Sequence, residues 1–203
     1  LRNHLNNETP HLLNANLERI DAPVLLGEVL DDETLWSCTT CGACEEECPI
    51  MIEYVNKVVD LRRGLVLTEN RYPDEFTKAF KSLETQSNPW GFGSNTRADW
   101  AKELDVKTWD KYNPTEYLYF VGCNGAFDDR GKKISTSVVN SLKSAGVDFS
   151  ILGNDEGCTG DPARRVGNEY LFDMLASRNA QMFKEKAVIK IVTHCSHCFN
   201  SLK

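Results

Sequence analysis

Apolar positions in the first part of the chain recur at helical spacing. This periodicity predicts one helix over about 50–68 and a second over about 74–85. Residues 1 to about 35 are also predicted to be mostly helical, although Pro10 interrupts their pattern. Residues 1–87 are therefore expected to form a small helical domain. The apolar positions behind the two later helices are Ile52, Val55, Val58, Val59, Leu61, Leu65, Phe76, Phe80 and Leu83.

From residue 116 onward the pattern changes to short apolar runs separated by helical stretches. Strands are predicted over 116–121, 147–152 and 187–192. The first intervening helix is expected to stop at Gly146, because glycine is favoured just after a helix C-terminus. The order strand, helix, strand, helix, strand predicts a βαβαβ unit with a parallel sheet.

The segment 88–115 between these two parts has a different character. It is rich in turn residues and contains Trp90, Trp100 and Trp109. Such a composition is typical of a linker that packs on its neighbours, and the tryptophans are expected to serve packing more than chemistry.

Composition narrows the class of protein. The chain has 203 residues, a hydrophobic fraction of 41% and a formal net charge of −7. These values fit a globular protein and disfavour nucleic acid as a partner, since phosphate binding requires surplus Lys and Arg. No apolar run is long enough for a membrane span, and the N-terminal residues do not form a signal peptide. Because the first residue is Leu1 rather than Met, we expect a fragment or a processed product.

The eight cysteines divide by position into two groups of four. A disulfide framework is the alternative, with on the order of 100 pairings, but the spacing favours two metal sites. Each group has the ligand count of one site. The first group is Cys38, Cys41, Cys44 and Cys48, and the second is Cys123, Cys158, Cys195 and Cys198.

The first group has the spacing of a bacterial ferredoxin run. Two residues separate each of the first three cysteines, three more precede Cys48, and Pro49 follows it. This spacing predicts a 4Fe–4S cluster. Cys48 ligates either this cluster or a neighbouring one, as the last cysteine does in two-cluster ferredoxins. Zinc is the alternative, but zinc sites usually use two separated pairs of ligands.

In the second group, each cysteine-bearing segment follows a predicted strand. The carboxyl ends of strands in an open α/β sheet meet at one crevice, so these distant segments are expected to converge. Four thiolates suffice for a second 4Fe–4S cluster, while zinc and a redox-active or empty thiol site remain alternatives. Asp161 is expected to cap a helix that starts at Pro162. His194 and His197 are expected to make hydrogen bonds around the site rather than to ligate.

These motifs give the whole chain a family resemblance. It resembles the cysteine-rich CCG domain of the heterodisulfide reductase family, and it is also similar to the C subunit of anaerobic glycerol-3-phosphate dehydrogenase. The departure is at Thr159, where the family's Cys-Cys-Gly reads Cys158-Thr159-Gly160, which implies a simple cluster rather than the family's fused double cubane. The segments that carry the resemblance are 36–44, 121–123, 157–165, 167–170 and 194–200.

The resemblance and the patterns together imply an α+β chain. An α-helical ferredoxin-like domain over 1–87 is followed by a linker over 88–115. A truncated cysteine-rich α/β domain with the parallel βαβαβ unit then occupies 116–203.

The implied function is that of an electron-transfer subunit of an oxidoreductase complex. Electrons would pass between a flavoprotein or dehydrogenase and a quinone or similar acceptor. The implied location is cytoplasmic, with peripheral attachment to the inner face of the cell membrane through a partner or missing segments. A thiol–disulfide reductase acting at the second cysteine group, and a one-cluster protein with structural zinc, are the alternatives. No acid–base or nucleophilic constellation in the sequence competes with the cysteines.

Overall fold

The computed structural model describes residues 25–203. The chain divides into two compact units, Leu1–Arg62 and Arg63–Lys203. The helices predicted within residues 1–24 lie outside the described residues.

The described part of the first unit consists of short helices around the first cysteine group. Its helices are α1 (Asp32–Ser37), α2 (Ala43–Glu46) and α3 (Val55–Gly64). Helix α3 starts later than predicted and is followed by a π-helical turn over Leu65–Glu69. The side chain of Glu45 accepts a hydrogen bond from the Val55 N–H at 2.6 Å. This bond satisfies one of the free amides at the N-terminus of α3 and marks where the helix begins.

The buried guanidinium of Arg62 fixes the entry to the cysteine run. Its Nη2 donates to the carbonyl oxygens of Leu35 and Cys38, each at 2.6 Å. The guanidinium also lies over the ring of Trp36, with its carbon 5.0 Å from the ring centroid. Arg62 therefore holds the C-terminal end of α1, where the first cysteine group starts.

The second unit is an α/β unit whose helices alternate with three short strands. The sheet order is β2-β1-β3 and both pairings are parallel, which confirms the predicted α+β class and parallel unit. The helices are α4 (Glu75–Gln86), α5 (Gly122–Phe127), α6 (Asp129–Ser144), α7 (Asp161–Val166), α8 (Glu169–Glu185) and α9 (Ser196–Leu202). The strands are β1 (Tyr117–Tyr119), β2 (Phe149–Ser150) and β3 (Ile191–Val192).

Strand β1 is the centre of the fold and buries both of its faces. Tyr119 packs on one face in a cluster with Val139 and Phe149, while Leu118 and Phe120 pack on the other. Neighbouring side chains of a strand point to opposite faces, so helices must cover both sides of the sheet. Strand β2 pairs with one edge of β1 and strand β3 with the other, which makes the carboxyl end of β1 a topological switch point.

The segment predicted as a packing linker takes part in this core. Trp109 is buried, its indole N–H donates to the Lys186 carbonyl at 2.9 Å, and its backbone N–H donates to the Ile151 carbonyl at 2.8 Å. Asn88 is fully buried, and its side chain bonds the backbone of residues 86–92. The packing role predicted for tryptophan is confirmed for Trp109, whereas Trp90 is half exposed.

Candidate functional site

The first cysteine group lies on an open loop between α1 and α3. Cys41 and Cys44 are exposed, while Cys38 and Cys48 are half-buried. Gly42 has a φ of 80° and precedes α2, a conformation that glycine adopts without strain. The loop also lines a cleft of about 740 Å³, and three of the lining side chains are glutamates. Its lining residues are Cys41, Gly42, Ala43, Glu45, Glu46, Met51 and Glu53.

Backbone amides in this loop point at sulfur. The Thr40 N–H donates to Cys38 Sγ and the Ile52 N–H donates to Cys48 Sγ, both at 3.4 Å. The amides of Ile52 and Ile50 lower the pKa of the Cys48 thiol. Amide donors of this kind favour a thiolate, the form in which cysteine binds iron. The chemistry of this donor set therefore fits an iron–sulfur cluster.

The second cysteine group is assembled from three loops that follow the three strands. Cys123 lies in α5 after β1, Cys158 precedes α7, and Cys195 and Cys198 lie at the start of α9 after β3. The thiols of Cys123 and Cys158 lie close enough to shift each other's pKa, as do those of Cys195 and Cys198. The structure thus brings together, at the carboxyl edge of the sheet, the four cysteines that the sequence placed there.

The two pairs come close to each other at Gly122. A Cβ added at this glycine would lie 2.8 Å from Cys198 Sγ and 3.9 Å from Cys195 Sγ, and Gly122 itself adjoins Cys123. Its φ of 77° also favours glycine. Because Gly122 has no side chain, the sulfurs of Cys195 and Cys198 can approach the end of β1.

Each thiol pair contains one cysteine with a lowered pKa and one with a raised pKa. The neighbouring Cys198 thiol, followed by backbone amides, lowers the pKa of Cys195 to about 5, while Cys195 in turn raises the pKa of Cys198. The neighbouring Cys158 thiol, together with the charge of Arg97, lowers the pKa of Cys123 to about 7. Cys123, together with burial, raises the pKa of Cys158. The set therefore favours thiolate at Cys123 and Cys195.

A buried ion pair stands behind Cys123. The side chains of Arg97 and Glu156 are each 2% exposed and lie 3.3 Å apart, and Arg97 Nη2 also lies 3.3 Å from Cys123 Sγ. Glu156 accepts hydrogen bonds from the N–H groups of Val121 and Gly122 at 2.9 and 2.8 Å. Burial raises the pKa of this carboxyl, while Arg97 and the two amides oppose the rise. Sequence reasoning missed both residues.

The residues around Cys158 and Cys195 differ in one respect from expectation. Gly160 is the N-cap of α7 and Asp161 is its first residue, so the predicted capping role of Asp161 is wrong. Its buried Oδ2 instead accepts from Arg165 Nε at 2.7 Å and lies 3.0 Å from His197 Nδ1. Because Gly160 is the N-cap, the Asp161 carboxylate does not cap the helix. Its contact with His197 connects the Cys158 loop to α9.

Both histidines of the last loop make hydrogen bonds, as expected. His194 Nδ1 lies 2.8 Å from the Tyr119 hydroxyl, and His197 contacts Asp161. Thr159, at the position of the family's extra cysteine, is buried.

The second group offers the donors that an iron–sulfur cluster needs. Four thiols converge, Gly122 leaves space against their sulfurs, and the buried Nε and Nη1 of Arg97 have no hydrogen-bond partner among the described residues. Within residues 25–203, no three Cys, His, Asp or Glu side chains are grouped so as to hold a single metal ion. The thiols stand as two adjoining pairs, and this donor set fits a cluster of several irons.

None of the helices within residues 25–203 is both long and apolar enough to span a bilayer.

Known proteins are similar in sequence to this chain over most of its length. The profile of the cysteine-rich domain CCG matches residues 117–203. The chain is 44% identical over 188 residues to the probable iron–sulfur-binding oxidoreductase FadF of Bacillus subtilis, covering 89% of this chain and 27% of that protein. It is 43% identical over 184 residues to the EtfAB:quinone oxidoreductase of Syntrophomonas wolfei, covering 88% and 26%.

A more distant relative comes from an archaeon. The chain is 33% identical over 182 residues to a subunit of the dihydromethanophenazine:CoB–CoM heterodisulfide reductase of Methanosarcina acetivorans, covering 88% of this chain and 42% of that protein. The chain thus spans about a quarter to two fifths of the length of these relatives. No solved structure matches it. Residues 117–203 match the cysteine-rich domain CCG, and over most of its length the chain is similar to heterodisulfide reductase-like iron–sulfur oxidoreductases.

Proposed function

We propose that the chain is the iron–sulfur electron-transfer part of an oxidoreductase complex. It passes electrons between a flavoprotein or dehydrogenase and a quinone or similar acceptor. The observation that carries this proposal is the convergence of four thiols at the switch point of the sheet, next to the buried cation of Arg97. Similarity to a protein named EtfAB:quinone oxidoreductase supports the choice of partners.

In this proposal each cysteine group holds one 4Fe–4S cluster. Cys38, Cys41 and Cys44 hold the first, with Cys48 ligating it or a neighbouring cluster. Cys123, Cys158, Cys195 and Cys198 hold the second. Such clusters supply one-electron transfer when bound.

The chain's own groups position and stabilise the thiolates. Amides of Thr40 and Ile52 donate to sulfur in the first group, and the Gly160 N–H donates to Cys158 Sγ at 3.4 Å in the second. Burial of Cys123, Cys158 and Cys198 excludes water from the second site.

The proposal also keeps the division into a helical domain over 1–87, a linker over 88–115 and a cysteine-rich domain over 116–203. The complex is placed at the inner face of the cell membrane, where a quinone-reactive partner provides the membrane contact.

Metal content gives the first test of this proposal. The full chain, purified and reconstituted without oxygen, is expected to bind about eight irons, because each 4Fe–4S cluster contributes four. Iron, acid-labile sulfide and zinc are measured on the same sample. Cys123→Ser is expected to reduce the count to about four, because the first cluster stays. Four irons together with one zinc in the unaltered chain would contradict the second cluster and support structural zinc.

The pairing of the thiols favours a second candidate, a thiol–disulfide reductase acting at the second group. Cys195 and Cys198 form a Cys-x-x-Cys motif in which Cys198 lowers the pKa of Cys195, and Cys195 is half-buried rather than closed off. The archaeal relative, which is named as part of a heterodisulfide reductase, points the same way.

Disulfide turnover separates the two candidates. The relay is expected to show only background reduction of a small mixed disulfide by reduced viologen, in the unaltered chain and in Cys158→Ser alike. Turnover that is well above background, and that Cys158→Ser abolishes while the first cluster is kept, would replace the relay by the reductase. Iron content and the absorbance spectrum of each sample report whether the clusters are kept.

A further inference from the structure

The buried side chain of Arg97 makes fewer hydrogen bonds than its burial requires. Its Nη2 is shared between Cys123 Sγ and Glu156 Oε1, both at 3.3 Å. Its Nε and Nη1 are buried and have no hydrogen-bond partner among residues 25–203. A buried N–H without an acceptor destabilises the folded state, and more strongly so when the group is charged. Another interaction of Arg97 must therefore offset the free-energy cost of these two unbonded N–H groups.

The ion pair with Glu156 does not offset this cost by itself. Its Oε2 accepts from the Val121 N–H, and its Oε1 accepts from the Gly122 N–H as well as from Arg97. The carboxylate is thus shared with the backbone that leads into Cys123. It fixes the position of the guanidinium and leaves two of its nitrogen donors for another acceptor.

The remaining surroundings of Arg97 hold the guanidinium against the second cysteine group. Its carbon lies 5.4 Å from the centroid of the Phe127 ring, which packs beside Cys123 in α5. An arginine guanidinium stays protonated in proteins, and the carboxylate of Glu156 faces it at 3.3 Å. Arg97 therefore stays a cation in contact with a cysteine sulfur.

From this geometry we infer that Arg97 sets the reduction potential of the iron–sulfur cluster held by Cys123, as a positioning residue that acts through the Cys123 sulfur. The inference rests on the proposed function. A reduced cluster carries one more negative charge than an oxidised one. A fixed cation and an N–H donor at a ligand sulfur stabilise the reduced form more, and thus raise the potential.

Arg97→Gln tests this inference. The variant keeps an N–H donor, on a shorter side chain, but removes the buried positive charge. We expect the reduction equilibrium of the second cluster to fall at least tenfold, which is about 59 mV for one electron. The potential of the first cluster stays unchanged. Redox titration of the full chain, followed by electron paramagnetic resonance, measures both potentials in one sample.

The matched control is Arg130→Gln, which removes the same charge from an exposed position on α6. It is expected to leave both potentials unchanged. Unchanged potentials in Arg97→Gln, or an equal shift in Arg130→Gln, overturn the inference. If Arg97→Gln does not hold its second cluster, Arg97→Lys is measured instead. Because it keeps the charge, it is expected to give a smaller shift in the same direction, and no shift there overturns the inference.

A measurement on the unaltered chain does not depend on how the variants fold. Labelling arginine with ¹⁵N is expected to reveal a nitrogen coupling to the reduced second cluster in pulsed resonance spectra. Absence of this coupling overturns the inference while the two-cluster relay stands. A chain with only one iron–sulfur signal contradicts the proposed second cluster itself, and the inference is overturned with it.

Discussion

Glu156→Ala is expected to lower the free energy of unfolding of the metal-free chain by about 3–5 kcal/mol. The substitution leaves the buried guanidinium of Arg97 without its counter-ion. It also leaves the N–H groups of Val121 and Gly122 without an acceptor. Each of these losses is costly in a core that excludes water. Urea unfolding followed by circular dichroism and by tryptophan fluorescence measures the change.

The neighbouring Asp155 provides a matched control for this result. Its carboxylate pairs with Lys186 at 2.9 Å, but it is 64% exposed and makes a surface ion pair. Asp155→Ala is therefore expected to change the free energy of unfolding by less than about 1 kcal/mol. Equal effects of the two substitutions would show that the Arg97–Glu156 pair does not stabilise the end of β1. A Glu156→Ala chain that does not fold would agree with the prediction.

The positions of the cysteines were predictable because strand ends dictate them. Short apolar runs predict strands, parallel strands share one carboxyl edge, and Cys123, Cys158 and Cys195 each follow such a run. The structure shortens β2 to Phe149–Ser150, because only these residues pair in register with β1. The convergence of the loops depends on the order and direction of the strands and not on their length. The shorter β2 therefore does not change it.

The ion pair behind Cys123 could not be predicted in the same way. Arg97 lies in a segment without periodicity, 26 residues before Cys123 and 59 before Glu156. Its role depends on tertiary contacts that no local pattern reports. The sequence contains only a weak indication of Glu156. An acidic residue two positions before a site cysteine requires a positively charged or N–H partner if it is buried there. The predicted N-cap role of Asp161 was wrong for a related reason. Its carboxylate contacts Arg165 and His197 instead of the backbone amides at the start of its own helix.

Gly122→Ala is expected to prevent the second cluster from forming. The new Cβ would lie 2.8 Å from Cys198 Sγ, closer than side chains approach each other. The backbone cannot easily relieve this contact, because Gly122 already has a φ of 77° and its N–H is held by Glu156. The iron content of the reconstituted chain is expected to fall from about eight to about four, with the first cluster retained.

Gly146→Ala separates the steric contact from backbone strain. Gly146 has a φ of 68°, close to that of Gly122, but an added Cβ there meets no atom within 4 Å. This variant is expected to lose about 1–2 kcal/mol of stability through its conformation alone and to keep its full iron content. Equal iron loss in both variants would assign the effect to strain. Full iron content in Gly122→Ala would contradict the close approach of Cys198 to the end of β1, and with it the place of Cys198 among the four ligands.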